Sequence, residues 1–173
     1  MRSSKVLLRA LEPSDIDFIF QLENDPANWH VSNTLAPYSR YAIEQFVLNS
    51  ENDLFTQKQL RLIIESTDSN EPKKIGCIDL FEYDPLHKRA GIGIIIIAEE
   101  QHKGYASESL SLLIEHSFTV LGLHQLFCNI SVDNRTSLKL FEHHGFVSCG
   151  VKKDWIFYKN EWKDEIMLQL INR

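Results

Sequence analysis

The sequence predicts a mixed α/β fold, a single sheet covered by helices. Three observations carry this. Short apolar runs of strand length alternate with stretches of helical spacing, in the order β-α-α-β-β-β-α-β-α-β-β. The chain has 173 residues, the size of one domain at ~100–200 residues, and no repeat, linker or low-complexity tract divides residues 1–173. Apolar residues make up 43% and charged residues 24%, ordinary usage for a globular domain that needs no metal or disulfide staple.

The elements follow in order. Residues 6–10 read as a first strand. Pro13 and Ser14 open a helix that Ser14 can cap, with Asp17 three residues on in an acidic form of the capping box. Ile16, Ile19, Phe20 and Leu22 give it a buried stripe, and Asn24-Asp25-Pro26 ends it. Residues 27–38 look irregular, with Trp29 and His30 exposed. Ser39 begins a second helix carrying Ile43, Phe46 and Val47 on one face. Residues 60–65 form a strand, and the polar turn 66–74 joins it to a strand at 75–81. A looser connection, 82–88, leads to residues 89–97, RAGIGIIII. An unbroken apolar run of this kind belongs to a central strand buried on both faces. Its glycines, Gly91 and Gly93, predict a bulge or the close approach of another backbone.

Residues 107–121 are a strongly amphipathic helix, with Leu110, Leu113, Ile114, Phe118 and Leu121 at helical spacing. A strand at 125–132 and a helix at 134–144 follow, with Gly145 placed to cap that helix in the left-handed conformation. Two last strands, near 147–158 and 163–171, face each other across Lys159-Asn160-Glu161. Their aromatic residues Trp155, Phe157, Tyr158 and Trp162 leave three readings open: core, acceptor-site wall, or homodimer surface.

Composition excludes several functions. Acidic residues outnumber basic ones 24 to 18, a net charge of −6, which opposes binding to nucleic acid. No apolar run approaches the ~18–20 residues that cross a bilayer, and the first residues show no signal-peptide pattern, so no membrane contact and a cytoplasmic location are expected. Cys77, Cys128 and Cys149 are odd in number and widely spaced. They form neither a disulfide framework nor a CxxC site and are expected to pack as small hydrophobes. His143 and His144 are adjacent on a helix and point ~100° apart, so no metal site is expected.

The most informative stretch is Gln101-His102-Lys103-Gly104-Tyr105-Ala106, between a central strand and a long helix. Taken alone it is either an ordinary strand-to-helix turn with a glycine in it or a turn that aims consecutive backbone N–H groups at an anion, helped by the helix dipole. Gly104 admits a pyrophosphate, Ala106 keeps the first turn open and Lys103 adds a cation. His102 is either a phosphate contact or a plain loop histidine, and Tyr105 is expected to pack on the helix start. The stretch matches neither GxxxxGK[ST] nor GxGxxG, which disfavours nucleoside triphosphates and dinucleotides.

This loop resembles the Q/R-x-x-G-x-G/A signature of the Gcn5-related N-acetyltransferases (GNAT family). Asn134-x-x-Ser137-x-x-x-Phe141-x-x-x-Gly145-Phe146 is similar to that family's second block. The tail from Trp162 to Met167, and the start from Leu8 to Asp15, resemble its spermidine and ribosomal-protein branches. The resemblance implies a mostly antiparallel sheet of six to seven strands, flanked by about four helices, with two central strands splayed apart. It implies that acetyl-CoA is the co-substrate. Its pyrophosphate would lie on Gln101, His102, Lys103, Gly104, Tyr105, Ala106 and Ser107. Its pantetheine would lie along the backbone of Ile94, Ile95 and Ile96, with Asn134, Ser137 and Phe141 opposite. The N–H near Ile95 would hold the thioester carbonyl.

The implied reaction is acetyl transfer to a primary amine of a diamine, a polyamine or a protein N-terminus, by direct attack on the thioester. An alkyl ammonium must first lose a proton at a pKa near ~10.4. Glu82 is the candidate base and Asp79 the second candidate. Phe141 stands where many family members have a tyrosine acid, and Gly91 where the spermidine branch has a glutamate. These two departures also allow an alternative, a CoA-binding module without catalysis.

Overall fold

The computed structural model describes residues 1–32, 34–50, 54–68 and 71–173. Seven strands form one sheet: β1 Val6–Arg9, β2 Leu60–Ser66, β3 Lys73–Asp84, β4 Arg89–Ile96, β5 Gln125–Ser131, β6 Val147–Tyr158 and β7 Glu161–Ile171. Their spatial order is β1-β2-β3-β4-β5-β7-β6. Every neighbouring pair is antiparallel except β4 and β5, which run parallel. The helices are α1 Ile16–Glu23, α2 Trp29–Ser32, α3 Arg40–Leu48, α4 Leu54–Gln57, α5 Tyr105–Thr119 and α6 Arg135–His143. The predicted element order stands, with two single-turn helices, α2 and α4, added in segments whose spacing carried no helical stripe.

The sheet is covered on both faces. On one, Leu110 and Leu113 of α5 and Leu138 and Phe141 of α6 pack with Ile78, Leu80, Ile92, Leu126 and Leu168. On the other, Ile19 and Leu22 of α1 and Ile43 and Val47 of α3 pack with Ile63 and Cys77. Alternate residues of β3 thus enter different cores, which is why its apolar run lacks strict alternation. Fully burying a leucine or isoleucine stabilises by about 1.5–3 kcal/mol, so the two cores together hold the halves of the sheet.

Several local expectations change. Ser14 does not cap α1. Instead Asp15 accepts from the Glu12 N–H at 2.8 Å, and the helix is entered through a 3-10 turn over Pro13–Asp15. Ser39 does cap α3, accepting from the Ala42 N–H at 3.1 Å. Gly145 ends the last helix at φ 84°. Gly91 is approached by a ring and not by backbone: a Cβ there would lie 2.2 Å from Phe81. The close backbone approach occurs at Gly76, where a Cβ would fall 2.1 Å from the Ile95 carbonyl oxygen. Cys77 and Cys128 are buried as expected, but Cys149 is exposed on β6, because that outer strand has no cover. Trp29 is half-buried and its indole N–H donates to the Glu23 carbonyl at 3.0 Å. The side chain of His30 lies outside the described residues.

One buried charge cluster ties β1, β2 and β3 to α1. Asp15 has no solvent exposure. It accepts from both terminal nitrogens of Arg9, at 2.6 and 2.8 Å, and pairs with Lys74 at 2.6 Å. Arg9 also reaches Glu65 at 2.7 Å. Burial alone would raise the Asp15 pKa, but the bonds from Arg9, Lys74 and the Glu12 N–H outweigh it and hold the carboxyl well below the usual range. Asp15→Asn leaves the arginine short of its counter-charge and is expected to cost about 3 kcal/mol, read from urea midpoints at pH 7. A depressed native pKa stabilises above the unfolded value of ~3.9, and that contribution is lost as pH falls below it. The difference between wild type and variant therefore shrinks in acid. A deficit that stays constant down to pH 2 would contradict this assignment.

Candidate functional site

The site begins where two strands part. β4 and β5 pair only at Arg89↔Gln125, Ala90↔Leu126 and Gly91↔Phe127. Beyond that, β4 stays laddered to β3 as far as Ile96 and β5 to β7 as far as Ser131. The facing edges of residues 92–96 and 128–131 have no ladder between them. Phe81 and Phe127 meet edge-to-face at the apex, centroids 5.8 Å apart. Gly91 is what admits the Phe81 ring there.

Strand parity decides which backbone groups face the opening. The Ile97 N–H donates to the Ile75 carbonyl at 2.9 Å. Antiparallel pairs alternate every two residues, so Ile95, opposite Cys77, turns both its N–H and its C=O to β3. The expectation for Ile95 is therefore corrected: the N–H and C=O groups of Ile94 and Ile96 alternate toward the β5 side. Gln101 confirms the parity, since its side-chain amide donates to the Ile96 carbonyl at 2.9 Å.

The loop after β4 crosses the same end of the sheet. Ala98–Glu100 is a 3-10 turn, His102 has φ 62° and Gly104 φ 88°. Gly104 gives α5 no side-chain cap, so the N–H groups of its first turn remain available to an anion. Lys103 is held at 2.8 Å by Glu100, which also takes Lys73 at 2.6 Å. The two lysines keep that carboxyl below its usual range. Tyr105 is 6% exposed, and its hydroxyl donates to Asp68 at 2.8 Å. That bond, with burial, pushes its pKa up to about 12. Ala106 and Ser107 are half-buried. The Ser107 hydroxyl lies 2.9 Å from Nε2 of His144, at the end of α6.

On the β5 side, Asn134 caps α6 by accepting from the Ser137 N–H at 3.1 Å. Phe141 is 3% exposed and meets Phe146 edge-to-face, so its ring is a core residue.

A cavity of about 840 Å³ opens beside the apex; Glu82, Tyr83, Arg89, Phe127, Asn129 and Met167 are among its lining residues. Its floor is the face of β5 and β7 that neither α1 nor α3 covers. Glu82 is exposed, at φ 49°, where the register of β3 against β4 breaks between Phe81 and Asp84. Such a bulge re-aims a side chain out of the ladder. Of the lining cations Lys58, Arg89 and Lys152, the last two are paired, with Asp84 at 3.3 Å and Glu165 at 2.8 Å. Asp79 is engaged elsewhere. Both its oxygens accept from Arg61, at 2.6 and 3.2 Å, and Arg61 also bonds Glu23 and lies over Phe46. The residues that sequence reasoning missed are Arg61, Phe81 and His144. Arg61 and Asp79 could have been linked only with the β2–β3 register in hand. Among the described residues no group of His, Cys, Asp and Glu could hold a metal, and no helix is long and apolar enough to cross a membrane.

Comparison with known proteins agrees with this geometry. Residues 5–147 match the acetyltransferase (GNAT) domain model. A spermidine N(1)-acetyltransferase of Vibrio cholerae is 29% identical over 165 residues, covering 94% of this chain and 90% of that protein. The crystal structure of the Vibrio cholerae spermidine N-acetyltransferase in complex with CoA and spermine superposes with a TM-score of 0.86 at 28% identity, covering 98% of this chain and 96% of that one. A dodecameric structure of that enzyme in an intermediate state gives 0.81 at 29%, covering 98% and 95%. The chain belongs to the GNAT family and is an acetyl-CoA-dependent N-acetyltransferase.

Proposed function

We propose that this GNAT enzyme acetylates a terminal primary amine of a polyamine or diamine, with Glu82 as the base. The observation that carries the proposal is the open seam between β4 and β5, with an anion-ready turn at one end and, beside its apex, a carboxylate, Glu82, that has no partner among the described residues. The acceptor class is supported by the spermidine enzymes to which the chain is similar.

The residues divide the work by place. The N–H groups of residues 101–107 take the pyrophosphate. The inward N–H and C=O groups of Ile94 and the N–H of Ile96 take the amide-bearing arm as a further strand would, the Ile96 C=O already accepting from Gln101, with Asn134 and Ser137 opposite. One N–H of this edge, Ile94 in place of Ile95, faces the charge that develops on the thioester oxygen. Acetyl-CoA supplies the activated acyl group when bound.

Glu82 removes the ammonium proton, directly or through one water, from the cavity side. It makes no hydrogen bond among the described residues, so its lone pairs are free to do so. Asp79 is less suited, because Arg61 already occupies both its oxygens. The departing thiolate needs no protein acid. A thiol near ~8.5 is only about 1.5 units, or roughly 2 kcal/mol, from its favoured state at pH 7, and the start of α5 offsets part of that. Phe141 cannot donate, and Tyr105 is committed to Asp68, so water delivers this proton. The two departures that left a non-catalytic reading open have structural roles: Phe141 fills the core, and Gly91 makes room for Phe81. We also propose that the exposed Trp155, Phe157 and Trp162 of the β6–β7 hairpin form a contact between copies of this chain.

Two variants test the chemistry. Glu82→Gln should lower kcat ~10²-fold or more, the scale of a general base, while CoA affinity by calorimetry stays unchanged. Wild-type rates for this variant across pH 6–9 would remove Glu82 from the mechanism. Gly104→Val places a β-branched residue at φ 88° and a side chain over the turn, so CoA affinity should fall at least ~10-fold, by the helix-terminus argument. Unaltered affinity in a folded variant would move the pyrophosphate elsewhere. Turnover with putrescine and spermidine, against none with amino-terminal peptides, is the acceptor outcome expected of the wild type.

A further inference from the structure

We propose that His144 is a positioning residue for CoA, acting through the Ser107 hydroxyl. The proposal rests on the reading above that residues 101–107 take the pyrophosphate.

His144 is the residue that ends α6, and its half-buried ring crosses to α5. Nε2 lies 2.9 Å from Ser107 Oγ in the first turn of α5. Nδ1 lies 3.5 Å from Ser111 Oγ, one turn further along the same helix face. The His143 ring stands edge-on to it at 5.5 Å. The imidazole therefore bridges the two helices at the phosphate end of the seam.

A serine hydroxyl has one hydrogen to give and two lone pairs. If Ser107 donates to the imidazole, it has nothing left for a phosphate oxygen. If Nε2–H donates to Ser107, the hydroxyl hydrogen is free to turn to the anion. The partner of the other ring nitrogen selects between these tautomers. Ser111 can donate to Nδ1, which places the ring hydrogen on Nε2. The donors then run one way: Ser111 to His144, His144 to Ser107, and Ser107 to phosphate. Burial, and then the neighbouring His143, hold the imidazole below its ordinary pKa, so the neutral ring, in which tautomer matters, is the form present at neutral pH.

Calorimetric CoA affinity is measured for wild type, Ser107→Ala, His144→Ala, the double variant and His144→Gln, with Gly104→Val as the reference for the loop. Hydrogen bonds to charged groups are worth more than neutral ones, so Ser107→Ala should weaken CoA about 10-fold. His144→Ala should weaken it by a comparable factor. The double variant should be no weaker than Ser107→Ala alone, because the two residues act as one unit. His144→Gln, which keeps an N–H donor at similar reach, should recover most of the affinity. In steady-state kinetics the loss should fall on KM for acetyl-CoA, with KM for the amine unmoved. Wild-type affinity in His144→Ala, or an equal loss from it in the Ser107→Ala background, would overturn the role and leave His144 a helix clamp. If Ser107→Ala and Gly104→Val both bind CoA as wild type does, the phosphate placement fails, and this role with it.

Discussion

The three-residue parallel contact between β4 and β5 is the constraint on which the rest of the structure depends. Buried backbone N–H and C=O groups are almost always paired, and a seam through the middle of a sheet leaves a row of them open. The molecule tolerates this because each half is complete without the other. β4 is fully laddered to β3 and β5 to β7, and helices bridge the seam on one face. The open row is thus confined to the facing edges, where an amide-bearing ligand can complete it. Two close approaches keep β4 in place. Gly76 lets the Ile95 carbonyl come near, and Gly91 lets the Phe81 ring sit at the apex. Side chains at either point would push β3 and β4 apart and alter the angle at which the seam opens.

Most carboxylates around the site are engaged in holding the fold. Asp15 is surrounded by Arg9, Lys74 and a backbone N–H. Asp79 and Glu23 share Arg61, which is itself enclosed. Glu100 gathers Lys73 and Lys103 beneath the loop. A carboxylate so engaged keeps its charge but loses its freedom to accept a new proton. Glu82 is exposed, lies on a bulge and carries no such partner among the described residues. The contrast with Asp79, three residues earlier on the same strand, comes from the break in register between them and not from residue type.

The parts of this arrangement legible in the sequence are those set by local rules. Period and punctuation gave the order of strands and helices, and the Gln101–Ala106 stretch reads as an anion turn through its glycine at a strand-to-helix junction together with its resemblance to the family's signature. The parts that were not legible depend on pairing. Whether Ile94 or Ile95 faces the seam is a question of ladder parity, which no single strand contains. Asp79 looks like a free acid until the β2–β3 register places Arg61 opposite it. Cys149 looks like its buried counterparts until β6 proves to be an outer strand. The helix entry is set two residues earlier than Ser14, at Glu12, whose N–H donates to Asp15, and the arginine and lysine that hold Asp15 there come from β1 and β3.

The distribution of thiols bears on the order of chemical events. Acyl transfer through a covalent enzyme intermediate needs a nucleophile at the seam that can ionise near neutral pH. Cys128 lies on β5 beside the opening, yet it is 3% exposed, and burial, with Cys149 nearby, pushes its thiol up to about 12. Cys77 lies on β3 opposite Ile95 and is still more enclosed. Burial again dominates and raises it further, despite the opposing influence of Arg61. Cys149 is exposed but stands on β6, separated from β5 by the whole of β7. None of the three is both accessible and placed at the seam. No thiol therefore stands ready to carry the acyl group at the seam, and the proposed route, in which the amine meets the thioester directly near the apex of Phe81 and Phe127, needs none.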